Sequence, residues 1–218
     1  QSAEAYQQEC LERFGPFQSP KNLKTIWFHV VSVGETNAAQ PLIEHYLKLG
    51  HPVLVTNTTK TGQARAKSLF LKAPYESLFQ AVYLPADQKI LVSTFFEKYQ
   101  PKMLILVETE LWPNLIAQSQ KLQIPTILVN ARLSEKSAKG YGKVPGLTLA
   151  ILKGLTQLLA QDDASLARFR ALGMPQKKSQ TVGSIKFDIH APTEFVQKAE
   201  QLKQAWSLQQ RKVVTIAS

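Results

Sequence analysis

From Thr25 onward the chain alternates short, almost wholly apolar runs with stretches of helical spacing, and this alternation restricts the fold more than any other feature. The first run, Ile26-Trp27-Phe28-His29-Val30-Val31, offers no alternating polar side to water, so a strand built from it must be covered on both faces. Similar runs occupy 52–56, 81–84, 103–107 and 126–130. Between them, helical spacing covers 36–49 (stopping at Gly50, a good C-terminal cap), 61–71, 87–99 and 113–122, the last with Pro113 in its first turn. Buried strands joined by helices predict a parallel sheet with helices on both faces, a doubly wound, Rossmann-like α/β domain.

The flanks are less regular. Residues 3–15 predict a short helix with Tyr6, Cys10, Leu11 and Phe14 along one side, followed by a loop over 16–22. Beyond Ala131 the pattern loosens into a basic, glycine-bearing stretch, 132–146. It resumes with a helix at 147–153, a strand at 157–160, a helix at 164–172 closed by Gly173, and a strand at 179–182. A polar helix over 192–206 precedes Val213-Val214-Thr215-Ile216-Ala217-Ser218, which reads as a fresh buried strand with no helix after it. The expected organisation is an N-terminal segment (1–24), an α/β domain (25–190), and a linker helix with the first strand of a second domain (191–218).

Bulk properties remove several classes of function. A single cysteine, Cys10, excludes an intramolecular disulfide, and no apolar run reaches the roughly 18 residues of a membrane-spanning helix. The patterns G-x-G-x-x-G, the P-loop, H-E-x-x-H and C-x-x-C are absent, so neither a dedicated metal site nor a cofactor is expected. The net charge of +10 asks for an anionic partner. Its carriers, among them Lys60, Arg65, Lys67, Arg132, Lys136, Lys139, Lys143, Lys177 and Lys178, are scattered rather than gathered into an arm or a stripe with aromatics. That distribution argues against nucleic acid and leaves an acidic membrane, a phosphorylated substrate, or plain solubility.

Residues able to carry chemistry fall where strands end, the place where open α/β sheets bind ligands. Glu35 lies in the turn after the first strand; Gly34 before it lets the backbone bend and a substrate approach. The adjoining helix N-terminus predicts an ionised Glu35, ready to accept a proton, although a first-turn acid also serves simply to complement the helix dipole. After the fourth strand comes Glu108-Thr109-Glu110-Leu111-Trp112-Pro113-Asn114. Acids on one rim can hold a metal, raise one pKa or anchor a basic group; the alternative is a capped helix start with Trp112 in the core. After the last strand of the domain, Gly183-Ser184-Ile185-Lys186-Phe187-Asp188 offers a lysine to a phosphate, or merely to solvent. Arg132, beside Asn130 and Ser134, could grip a phosphate with both arms or brace its own loop. Of the dispersed histidines, His29 sits within a strand and reads as a packed residue.

Several of these segments, in order, resemble the motifs of the bacterial 3-deoxy-D-manno-octulosonic acid (Kdo) transferases. They are 29–39, Thr58-Thr59-Lys60-Thr61-Gly62, 108–114, Asn130-Ala131-Arg132-Leu133-Ser134 and 183–188, within a similarity running from Tyr6 to Ser218. The resemblance implies the N-terminal half of a two-domain GT-B glycosyltransferase, taking the acceptor here and CMP-Kdo mainly in a second domain. It makes Glu35 the general base and assigns Glu108 and Lys186 to transition-state stabilisation. On the acceptor side it directs attention to Ser32, Gly34, Thr59, Glu110, Asn114, Arg132 and Ser134. The implied reaction is inverting transfer of Kdo to the phosphorylated lipid A precursor (lipid IVA) in lipopolysaccharide biosynthesis, at the cytoplasmic face of the bacterial inner membrane, whose anionic surface is itself a partner. An anchor before Gln1 and a donor domain beyond Ser218 are implied too, so this stretch alone is expected to be inactive. Two other readings stay open: a GT-B enzyme using another nucleotide sugar, and a basic, non-catalytic module for nucleic acid or anionic membrane.

Overall fold

Every residue of the strand β1 (Ile26–His29) is buried, and so is every residue of β2 (Val53–Asn57), as strands covered on both faces must be. In the computed structural model, which describes residues 3–185 and 193–206, these two belong to a seven-stranded sheet. Its other members are β3 (Phe79–Tyr83), β4 (Met103–Val107), β5 (Thr126–Ala131), β6 (Gln157–Ala160) and β7 (Ser179–Thr181). All pairs are parallel, in the order β3-β2-β1-β4-β5-β6-β7.

The helices divide between the two faces. The first is covered by α2 (Val33–Lys48) and α3 (Lys60–Phe70), whose Ala39, Ile43, Leu47, Ala66 and Phe70 pack on Ile26, Phe28, Val30 and Val55. Against the opposite face lie α4 (Lys89–Tyr99), α5 (Pro113–Lys121), α7 (Pro145–Gly154) and α8 (Asp163–Ala171). Trp27 anchors that layer, fully buried with Phe95 at 4.8 Å and Phe96 at 5.2 Å between ring centroids. Removing a buried aromatic of this size costs about 3–5 kcal/mol.

The chain winds outward from β1 to β3, returns through α4, and winds the other way from β4. The reversal puts β1 beside β4 while α2 and α5 leave on opposite faces, which opens a crevice at the carboxyl ends of those two strands.

Three expectations are corrected. In α1 (Ala3–Phe14) the expected apolar side faces outward, with Tyr6 63% and Phe14 56% exposed, whereas Glu12 is buried at 3%. The Glu12 carboxylate accepts from Gln8, Gln63 and the backbone N–H of Tyr83, so polar contacts fix this helix. The stretch 132–146 contains a helix, α6 (Glu135–Gly142), which buries no residue fully and therefore shows little apolar period; the Ser134 hydroxyl caps it. Finally, β1 stops at His29 and α2 begins at Val33, because the Val31 N–H turns away from the sheet to the Glu35 carboxylate.

The chain divides into two units, Gln1–Lys186 and Phe187–Ser218. In the second, α9 (Thr193–Ala205) is the described element. The expected strand 213–218 lies outside the described residues, as does Lys186.

Candidate functional site

The turn from β1 into α2 is held from below. Ser32 caps α2, accepting from the Glu35 N–H, and its hydroxyl faces Glu35 Oε1 at 3.4 Å. Glu35 Oε2 accepts the Val31 N–H at 2.8 Å. Beneath the turn, Asn57 donates to the Val30 carbonyl at 2.8 Å and Thr59 donates to the Val31 carbonyl at 2.9 Å. Thr59 also caps α3 by accepting the Gly62 N–H. Its hydroxyl therefore positions the Glu35 turn, a role distinct from the acceptor contact expected of it. Gly34 keeps negative φ, and a Cβ there would meet nothing nearer than the Ser32 hydroxyl at 3.8 Å, so the bend does not require glycine. The required glycine is Gly62, whose added Cβ would come within 2.9 Å of the Val31 carbonyl.

Across the crevice, Glu108 follows directly on β4, held in the left-handed region at φ 64°, and Asn130, the penultimate residue of β5, sits there too at φ 51°. Non-glycine residues rarely sit there, and such outliers gather at functional sites. Asn130 is fully buried; its Oδ1 accepts the Ile185 N–H at 3.4 Å, drawing the segment after β7 to this rim. Glu110 Oε2 accepts the Trp112 indole N–H at 2.8 Å and lies 3.6 Å from His29 Nε2. Asn114 is occupied otherwise: its backbone and side-chain amides both donate to Asp87, which thereby caps α5. Arg132 and Ser134 are exposed on the loop after β5, and that loop is braced by Ser165 and Arg168, which bind Leu133.

The crevice is thus carboxylate-rich, and this alters Glu35. Burial pushes its carboxyl up, and the charges of Glu110 and Glu108 push the same way; the Val31 and Ser32 hydrogen bonds oppose them. The balance sets Glu35 at about 7. The expectation that the helix terminus keeps Glu35 ionised is corrected: lost hydration and like charges outweigh that terminus. A carboxyl poised near neutrality exchanges protons most effectively at that pH. Glu110 acts on Tyr141 of α6 as well, whose phenol is raised by burial first and by that carboxylate second.

Sequence reasoning missed Asn57, and it gave no role to Gly62 or His29, which it met only within the motifs 58–62 and 29–39, His29 being read as packed, as it is. The places of Asn57 and His29 became visible through strand pairing, which sets His29 opposite Thr56.

Residues 8–189 match a family model described as 3-deoxy-D-manno-octulosonic-acid transferase (kdotransferase). A 3-deoxy-D-manno-octulosonic acid transferase of Haemophilus influenzae is 36% identical over 206 residues, covering 92% of this chain and 47% of that protein. One from Bordetella pertussis is 39% identical over 168 residues, covering 77% of this chain and 39% of that protein. The chain therefore spans less than half the length of these two relatives. Among solved structures, the UDP-GlcNAc 2-epimerase of Neisseria meningitidis aligns with a TM-score of 0.54 at 14% identity, over 86% of this chain and 55% of that one. A further UDP-N-acetylglucosamine 2-epimerase aligns at 0.55 and 11% identity, over 77% and 50%. That likeness is one of fold, the Rossmann-like domain of the GT-B type.

Proposed function

Because the chain belongs to the 3-deoxy-D-manno-octulosonic-acid (Kdo) transferase family, we propose that it supplies the acceptor side of an inverting transfer of Kdo from CMP-Kdo to the phosphorylated lipid A precursor. The observation that carries this reading is Glu35, in the crevice where strand order reverses, with its carboxyl near neutrality. Ionised, it takes the proton from an acceptor hydroxyl as that oxygen bonds to the anomeric carbon of Kdo. The bond from that carbon to the CMP phosphate oxygen breaks on the far side, and CMP leaves with the electron pair. Such proton transfer supplies about 100- to 10,000-fold; holding the two substrates in line supplies much of the remainder.

Glu108, at the adjoining strand end, favours the cationic character of the sugar carbon in the transition state. Lys186 offsets charge on the departing phosphate. The acceptor's phosphates are taken by basic residues beyond β5: Arg132 on the β5–α6 loop, then Lys136 and Lys139 of α6 and Lys143 at its C-terminal end, which with Glu135 line a surface cavity of about 710 Å³. The net charge of +10 supports work at an anionic bilayer, where each nearby Lys or Arg adds roughly 1 kcal/mol. No helix among the described residues is long and apolar enough to cross a membrane. Residues 191–218 lead, in this reading, into the domain that binds CMP-Kdo.

The test is product analysis with the whole protein. CMP-Kdo and a bisphosphorylated lipid acceptor should give CMP and a product heavier by Kdo, while UDP- or GDP-sugars should give none. Transfer from one of those sugars and none from CMP-Kdo overturns the reading.

A further inference from the structure

We infer that His29 is a positioning residue of this site: Trp27 and Thr56 fix its proton on Nε2, and from there it holds the Glu110 carboxylate at the rim of the crevice. The inference starts from a buried polar atom. His29 is fully buried, and among the described residues its Nε2 makes no hydrogen bond within ordinary length, yet Glu110 Oε2 stands 3.6 Å away. An unprotonated Nε2 would set a lone pair against a carboxylate oxygen; a protonated one gives that carboxylate a donor.

The other ring nitrogen decides between these. Nδ1 lies 3.0 Å from the Thr56 hydroxyl oxygen and 3.1 Å from the Thr56 carbonyl oxygen. The Trp27 indole N–H, which can only donate, points at the same hydroxyl oxygen at 2.8 Å. That oxygen accepts from Trp27; it has a second lone pair, but its own proton also needs an acceptor, and Nδ1 is the one the structure offers. The Thr56 carbonyl already receives the Val30 N–H at 3.0 Å, so it does not need the ring as a donor. With Nδ1 an acceptor, the neutral ring carries its proton on Nε2. Donors and acceptors then alternate without conflict: Trp27 N–H to Thr56 O–H to His29 Nδ1, and His29 Nε2–H to Glu110, which Trp112 binds from the other side.

This chain joins the floor of the crevice to its rim. Glu110 faces His29 from β1, Glu35 from α2 and Tyr141 from α6, with Glu108 on its own loop. The Trp112 indole N–H and the His29 Nε2–H together hold the Glu110 carboxylate in one place. A fixed charge there opposes ionisation of Glu35 and so helps to keep the Glu35 carboxyl near neutrality.

The direct test reads the tautomer by long-range proton–nitrogen correlation on the full chain with labelled histidines, the His29 signal being assigned from its loss in His29→Gln. The native ring should carry its proton on Nε2. Thr56→Ser should keep it there, and Thr56→Val should move it to Nδ1, which then donates to the Thr56-position carbonyl. A native ring protonated on Nδ1, or on both nitrogens, overturns the inference, and so does a tautomer that Thr56→Val leaves unchanged. A second readout rests on the reading of Glu35 as the base. In the whole protein, Thr56→Val but not Thr56→Ser should move the acidic limb of the kcat profile to lower pH by about half a unit. If that limb is absent even from the unaltered enzyme, the base assignment fails, and the tautomer result still supports or overturns the positioning of Glu110.

Discussion

Gly62 lies against the carbonyl oxygen of Val31 so closely that a Cβ would sit 2.9 Å from it, and 2.8 Å from the Thr59 hydroxyl. The first turn of α3 is therefore the bed on which the Glu35 turn rests, since Thr59 binds both the Gly62 N–H and the Val31 carbonyl. Gly62→Ala should destabilise the fold by about 1–3 kcal/mol, the usual cost of forcing atoms into packed space, despite a gain in helix propensity. Gly140, inside α6 with nothing within 4 Å of an added Cβ, is the control: Gly140→Ala should be neutral or stabilise by up to about 1 kcal/mol. Urea denaturation of both variants measures this; equal effects would refute the close approach.

Glu35 should leave a pH signature on stability. Its carboxyl titrates at about 7 in the folded chain against an ordinary value of 4.5, so the folded state favours the protonated form. The resulting contribution is fully present below 4.5 and is lost as pH rises through about 7. Unfolding free energies of the native chain and Glu35→Gln, taken across that window, should converge at low pH and separate toward neutrality, the variant becoming relatively more stable. Parallel curves would contradict the raised value.

In the whole protein the same residue should govern rate. Glu35→Gln keeps an acceptor for the Val31 N–H but cannot take a proton, so kcat should fall by about 100-fold or more. The unaltered enzyme should gain activity as pH rises toward about 7, where Glu35 ionises. Near-normal turnover of the variant would remove Glu35 from the role of base.

Asp87 should matter more than its place in a loop suggests. Its carboxylate accepts the backbone N–H groups of Asn114 at 3.1 Å and Leu115 at 2.9 Å, and no side chain caps α5 from within. Asp87→Ala should cost about 1–2 kcal/mol, with Asp87→Asn milder because one acceptor oxygen remains. Thermal denaturation of the two variants provides the ranking, and equal loss would show that the cap is not the cause.

Arg132, exposed on the loop that leads into α6, should discriminate acceptors by phosphate. Arg132→Ala should weaken binding of a bisphosphorylated lipid and leave a dephosphorylated one unchanged at matched salt. Binding to anionic vesicles should fall as the screening length shortens from about 30 Å at 0.01 M to about 10 Å at 0.1 M. Equal affinity for the two lipids would defeat the phosphate assignment.

The repeating apolar runs determined, by themselves, that this chain folds as a parallel sheet covered on both faces, and they set Glu35 and the Glu108-to-Asn114 segment at strand ends. Locating a strand needs only a local pattern, because each strand must hide both its faces. The pattern failed where burial is not apolar: Glu12 lies inside and Tyr6 outside on α1, and α6 forms with scarcely any buried face. What only the tertiary structure decided is which strand ends meet. Reversal of strand order brought β1 against β4, and with it three carboxylates into one partly dehydrated crevice. From sequence, Glu35 met only its own helix terminus and was expected to be ionised. In the folded chain it meets Glu108, Glu110 and the loss of water, and these long-range terms set its proton affinity because charge and hydration act through space rather than along the chain.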